Sequence, residues 1–130
     1  MDQITIEKLR QSFRIVTACP ECLGGLSCPR NPSEIQNNRV FDSEGKEVTS
    51  NFILGAQKTL NICKNNHIET AILKSKSPSC GNGIIYDGSF SGKKKAGDGI
   101  TAALLKKNGI KIFTEDKIDE AFQAITEKYK

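Results

Sequence analysis

The chain has 130 residues, of which 37% are apolar and 26% charged, with a formal net charge of +4. That is enough for one domain over residues 1–130 with a packed core, and it excludes wholesale disorder. No apolar run reaches the roughly 18 residues needed to cross a bilayer, the mixed, charged start at Met1 is not a secretory signal, and scattered Lys without any Trp argue against a nucleic-acid stacking surface. A cytoplasmic protein with neither membrane nor nucleic acid as partner is the expectation.

Ile4, Ile6, Leu9 and Phe13 predict a helix over residues 3–13. Arg14-Ile15-Val16-Thr17-Ala18 reads as a short β-branched strand stopped by Pro20. After a loop with Gly24, Gly25, Pro29 and Pro32, a hairpin is expected from Arg39-Val40-Phe41 and Lys46-Glu47-Val48, turning at Ser43-Glu44-Gly45. A helix over 50–66, capped by Thr49, has Phe52, Leu54, Ala56, Leu60 and Cys63 on its apolar side. Thr70-Ala71-Ile72-Leu73 is a second strand, followed by a long loop over 75–92. Asp98 is placed to cap a helix over 99–107 with Ile100, Ala103 and Leu104 inward and Gly109 as its stop. Ile110-Lys111-Ile112-Phe113 is a third strand, and Asp116 opens a last helix with Ile118, Ala121, Phe122 and Ile125 on one side.

Strands alternating with helices predict an α/β fold: a three-layer, Rossmann-like domain with a small, mostly parallel sheet and a long Gly-rich active-site loop. Ligands of such sheets sit beyond the carboxyl ends of the strands. Cys19 follows the first expected strand and Cys80 the second, so the two thiols should converge at one rim.

Five Cys without a signal peptide point to metal or catalysis rather than to a disulfide framework. Cys19-Pro20-Glu21-Cys22 leaves several readings open. A redox pair wants its first Cys at a helix N-terminus, and the following glycines and prolines predict no good helix there. A zinc site wants further Cys or His, and His67 stands alone at a helix end. Buried thiols acting as small hydrophobes are the plain alternative, and Cys63 fits it best. Lys93-Lys94-Lys95 reads as a solvated loop tip.

The stretches Ala18-Cys19-Pro20-Glu21, Gly24-Gly25-Leu26, Pro29-Arg30, Ala71-Ile72-Leu73-Lys74, Ser77-Pro78-Ser79-Cys80-Gly81, Tyr86-Asp87-Gly88-Ser89-Phe90-Ser91-Gly92 and Gly97-Asp98-Gly99-Ile100-Thr101-Ala102-Ala103-Leu104-Leu105 together resemble the thiouracil desulfidase family. The resemblance runs from about residue 5 to 115. It implies an enzyme that holds a 4Fe-4S cluster on three Cys, leaves one iron open, and converts the C=S of a thiolated pyrimidine or similar small thioamide to C=O. It places two cluster ligands at Cys19 and Cys80, an acid/base carboxylate at Glu21 and an assisting hydroxyl at Ser77. The chemistry is coherent, because thiolates suit such clusters and an open iron is a Lewis acid for soft sulfur.

The family begins with a strand that ends in an Ala-Cys-Leu type motif and carries the first ligand. Residues 1–130 contain no counterpart, so the chain is expected to be short at its N-terminus and its ligand set incomplete. Cys22 or Cys28 is then the candidate third thiolate. The alternative is an inactive or metal- and ligand-binding member, and a thiol redox protein built on Cys19 and Cys22 is a third class. An unpaired sheet edge beside residues 14–18 would favour a homodimer.

Overall fold

The computed structural model describes residues 14–27 and 30–128. The helix expected over 3–13, the thiol of Cys28 and the side chain of Phe122 lie outside the described residues. In chain order the elements are helix α1 (Pro20–Leu23), strands β1 (Ser33–Gln36) and β2 (Arg39–Asp42), helix α2 (Thr49–Asn65), and strands β3 (Thr70–Leu73), β4 (Ile84–Tyr86) and β5 (Lys94–Ala96). Helix α3 (Ile100–Lys107), strand β6 (Lys111–Thr114), a 3-10 turn (Glu115–Lys117) and helix α4 (Ile118–Lys128) complete it. The fold is mixed α/β with small sheets. β3 and β6 pair in parallel from Thr70 opposite Lys111 to Leu73 opposite Thr114, while β1–β2 and β4–β5 are antiparallel pairs.

Helix α2 organises the core. Phe52, Ala56, Thr59, Leu60 and Cys63 recur at helical spacing and are buried. Its first half packs Phe52 on Val40 and Val48 of the hairpin region. Its second half packs Leu60 and Cys63 on Leu105, Ile110 and Ile112, so α3 and the parallel pair share one cluster with it. Cys63 is therefore a core residue, as expected.

Several sequence expectations need correction. Residues 14–18 form no strand: they carry no regular structure and have no ladder partner among the described residues. β-Branched side chains favour a strand only where a neighbour takes up their backbone groups. The hairpin is built on β1 and β2, with Asn37 and Asn38 at φ 48° and 70° in its two-residue turn. Asn tolerates this left-handed region, which matches the strand twist. The expected pairing is present in short form: Phe41 bridges Glu47, Asp42 N donates to Lys46 O at 2.9 Å and Val48 N to Val40 O at 2.8 Å, around a turn ending at Gly45. The loop after β3 is broken by the β4–β5 hairpin, which also takes Lys94 and Lys95 into a strand.

The caps differ as well. Val48 occupies the N-cap of α2, and Thr49 Oγ1 instead accepts from the backbone N–H of Val40 at 2.9 Å. Gly99 occupies the N-cap of α3. Asp98 accepts from Gly83 N at 2.7 Å and pairs with Lys106 at 3.1 Å. The fully buried residues of α3 are Thr101, Ala102 and Leu105; of the expected inward residues Ile100 and Leu104 are partly buried against the core clusters, and Ala103 is exposed. Gly109, at φ 81°, does end α3.

Two backbone approaches leave no room for a side chain. A Cβ on Gly55 would stand 1.9 Å from the carbonyl oxygen of Pro20, and one on Gly24 would stand 1.9 Å from that of Asn51. These glycines let α1 lie directly on α2. Gly55→Ala should therefore destabilise the chain by about 1–3 kcal/mol through overpacking. Chemical denaturation checks this, and an unchanged midpoint would contradict the tight contact.

Candidate active site

Two short turns hold the candidate site residues. In the first, Cys19 is the N-cap of α1 at φ −115°, with Pro20 at the first helical position, where a missing N–H costs nothing. A helix does begin here, contrary to the sequence expectation, because Gly24 and Gly55 bring the turn against α2. Asn51 Nδ2 donates to Gly24 O at 2.8 Å and fixes its end.

In the second turn, the Ser77 hydroxyl accepts from the backbone N–H groups of Ser79 at 3.1 Å and Cys80 at 2.8 Å. The loop carbonyls then do the work of a side-chain cap for α3. Pro78 O accepts from Ile100 N, and Ser79 O from Thr101 N, both at 2.8 Å. Ser79 Oγ and Thr101 Oγ1 share a buried hydrogen bond of 3.0 Å. A Cβ on Gly99 would meet the Ser79 carbonyl carbon at 2.4 Å, so only glycine admits this docking.

The turns face one cavity of about 1270 Å³, lined by Cys19, Glu21, Ser77 and Cys80 among others. Cys19 and Cys80 thus line the same cavity, although the segment before Cys19 is not a strand. Electrostatics report the same proximity, since the Glu21 carboxylate acts on Cys80 from across the chain. Burial is the main cause pushing the Cys80 thiol above its usual value, and the charge of Glu21 adds to it. Hydrogen bonding to the Ser79 and Ser77 hydroxyls works the other way.

Cys19 is exposed and behaves oppositely. Its partial burial raises the thiol, but hydrogen bonds from the backbone and side chain of Cys22, together with the Arg30 charge, outweigh that and leave it below the usual value. Arg30, which the sequence shows only as part of the Pro29-Arg30 stretch and without a role, ties the site together. Its Nε donates to the Glu21 carboxylate, and its Nη1 and Nη2 each lie 3.7 Å from a sulfur, Cys22 and Cys19 respectively. Desolvation works against the guanidinium charge, and Glu21 more than restores it. The available signal was a lone Arg in a Gly- and Pro-rich segment between the C-x-x-C turn and β1.

The donor chemistry suits an iron–sulfur cluster: Cys19 and Cys80 line the cavity from separate turns, Cys63 of the α2 core also borders it, and Cys22 sits on the same turn as Cys19. The set is not complete, because no group of three His, Cys, Asp or Glu is arranged to hold a metal among the described residues.

The two thiols should separate in reactivity. Near neutral pH, iodoacetamide should alkylate Cys19 well before Cys80 in the folded chain, because the lowered thiol holds more thiolate and is exposed. The half-reaction pH should lie below the ordinary thiol value for Cys19 and above it for Cys80. Peptide mass spectrometry reads both, and the reverse order would contradict the geometry.

The profile of the 2-thiouracil desulfurase family matches residues 1–117. The uncharacterized protein YbbK of Bacillus subtilis (strain 168) is 42% identical in an alignment that covers 88% of this chain and 83% of the relative. The solved structure of the 4Fe-4S-dependent thiouracil desulfidase TudS superposes with a TM-score of 0.90 at 40% identity, over 97% of this chain and 83% of that one. With nine-tenths of its length under the family profile and two such relatives, the chain belongs to the 2-thiouracil desulfurase family.

Proposed function

We propose that this chain is an iron–sulfur-dependent desulfidase, exchanging the C=S of a thiolated pyrimidine or similar small thioamide for C=O. Water supplies the oxygen and the sulfur leaves as sulfide, so no oxidant or reductant is consumed. The observation that carries the reading is the meeting of Cys19 and Glu21 with Ser77 and Cys80 at one cavity, in a member of this family. The loop with Ser77 and Cys80 leaves the carboxyl end of β3, where a three-layer, Rossmann-like sheet would present it.

Cys19 and Cys80 would hold the 4Fe-4S cluster, with Cys22 as the third thiolate in this reading. When bound, the cluster supplies an open iron that attracts thione sulfur as a soft Lewis acid. Glu21 moves protons: Arg30 fixes the carboxylate, which accepts a proton from water and returns one to the base. Ser77 has two backbone N–H groups on its oxygen, so its own proton is the part left to donate. Free thiols suit a reducing compartment such as the cytoplasm. β3 is flanked only by β6 among the described strands, so pairing with a second copy belongs to the same reading.

Anaerobically reconstituted protein should release sulfide and uracil from 2-thiouracil in equal amounts. Glu21→Gln should lower turnover by about 100-fold or more while iron is retained. Full turnover in that variant would contradict the role of Glu21. Iron uptake without any sulfide release would favour a ligand-binding member of the family.

A further inference from the structure

The sequence Asp87-Gly88-Ser89-Phe90-Ser91-Gly92 lies between β4 and β5. Its backbone is held by β1, far away in the chain. The Glu34 side chain belongs to a residue only 8% exposed, and its Oε1 accepts from Gly88 N at 2.9 Å and Phe90 N at 3.2 Å. Gln36 Nε2 donates to Gly88 O at 2.6 Å. The loop lies so close to β1 that a Cβ on Gly88 would stand 2.6 Å from Ile35 O. Burying a carboxylate is costly, and two charge-assisted N–H donors offset part of that cost.

The pinning has one further consequence. Phe90 is held at φ 56°, the left-handed region that a bulky side chain avoids. It remains 37% exposed and lines the same cavity as Cys19, Glu21, Ser77 and Cys80, with Tyr86 beside it in the lining. A core residue would not need this backbone, and a plain surface loop would not need a buried acid to impose it. An aromatic ring held open on a cavity can stack offset on a flat ring that enters it.

We propose that Phe90 is the stacking platform for the planar, uncharged heteroaromatic ring of the substrate, and that Glu34 is the positioning residue that sets it. The proposal rests on the desulfidase reading for the identity of that ring. Stacking on Phe90 orients the ring in its plane and leaves its edge, with the thione and the ring nitrogens, for Glu21 and Ser77 to address. Glu34 acts only through the loop and touches no ligand.

The test uses anaerobically reconstituted protein, with equilibrium dialysis of 2-thiouracil and of uracil and sulfide release measured in parallel. Phe90→Ala should weaken binding of both rings about tenfold. Phe90→Tyr should restore it, and Phe90→Leu, equally apolar but without a π-face, should not. Glu34→Ala should raise KM with little change in kcat. Thermal melts of every variant confirm folding. Unchanged affinity in folded Phe90→Ala, or full restoration by Phe90→Leu, overturns the platform even if sulfide release proceeds normally. Loss of affinity with Phe90→Ala and its return with Phe90→Tyr support the platform even if no sulfide is released, in which case the desulfidase reading fails by itself. Absence of binding by the unaltered chain overturns both.

Discussion

Two contacts in which backbone meets backbone, with no side chain between, determine everything at this site. Gly24 and Gly55 set the Cys19–Cys22 turn on α2, and Gly99 sets the Ser77–Gly81 turn on the start of α3. Helices α2 and α3 are in turn locked by one apolar cluster through Leu60, Cys63 and Leu105. Because interiors of this density transmit small displacements, the relative position of the two turns follows from the core. The chemistry is carried by loops and the precision by what they rest on.

The charges make sense on that frame. One guanidinium, that of Arg30, serves a carboxylate and two thiols at once. Its planar fork suits several fixed acceptors, whereas a lysine ammonium would act as a point charge. The result is a pair of thiols of unlike character facing one cavity: Cys19 exposed and lowered, Cys80 buried and raised. Glu21 lies between them electrically, bound to Arg30 and felt at Cys80.

Much of this was legible in the sequence, and the exceptions have physical causes. Helix α2 and strand β3 follow from apolar spacing and β-branched runs, because packing and pattern agree there except at Leu54, which was expected on the apolar side and is exposed. The motif resemblance singles out Cys19, Glu21, Ser77 and Cys80, and all four line one cavity. Strand β1 was missed because Ser33-Glu34-Ile35-Gln36 is mostly polar, and its polar side chains are spent on a distant loop. The Asn37-Asn38 turn was the available clue. The segment over 14–18 was misread because propensity alone cannot supply a partner strand. Asp98 looked like a helix cap, but the carbonyls of Pro78 and Ser79 hold the N–H groups of α3, a tertiary arrangement that local sequence does not encode. Arg30 and Glu34 act through partners that only the folded chain brings near.

The proposed desulfidase function requires that Cys19 and Cys80, from segments far apart in the chain, jointly hold iron. The most direct measurement is iron and acid-labile sulfide content after anaerobic reconstitution of the unaltered chain, Cys19→Ser, Cys80→Ser and Cys63→Ser. The account predicts that the unaltered chain and Cys63→Ser load alike, whereas either of the other two variants alone loses most of its iron. Full loading of Cys19→Ser or of Cys80→Ser would contradict it.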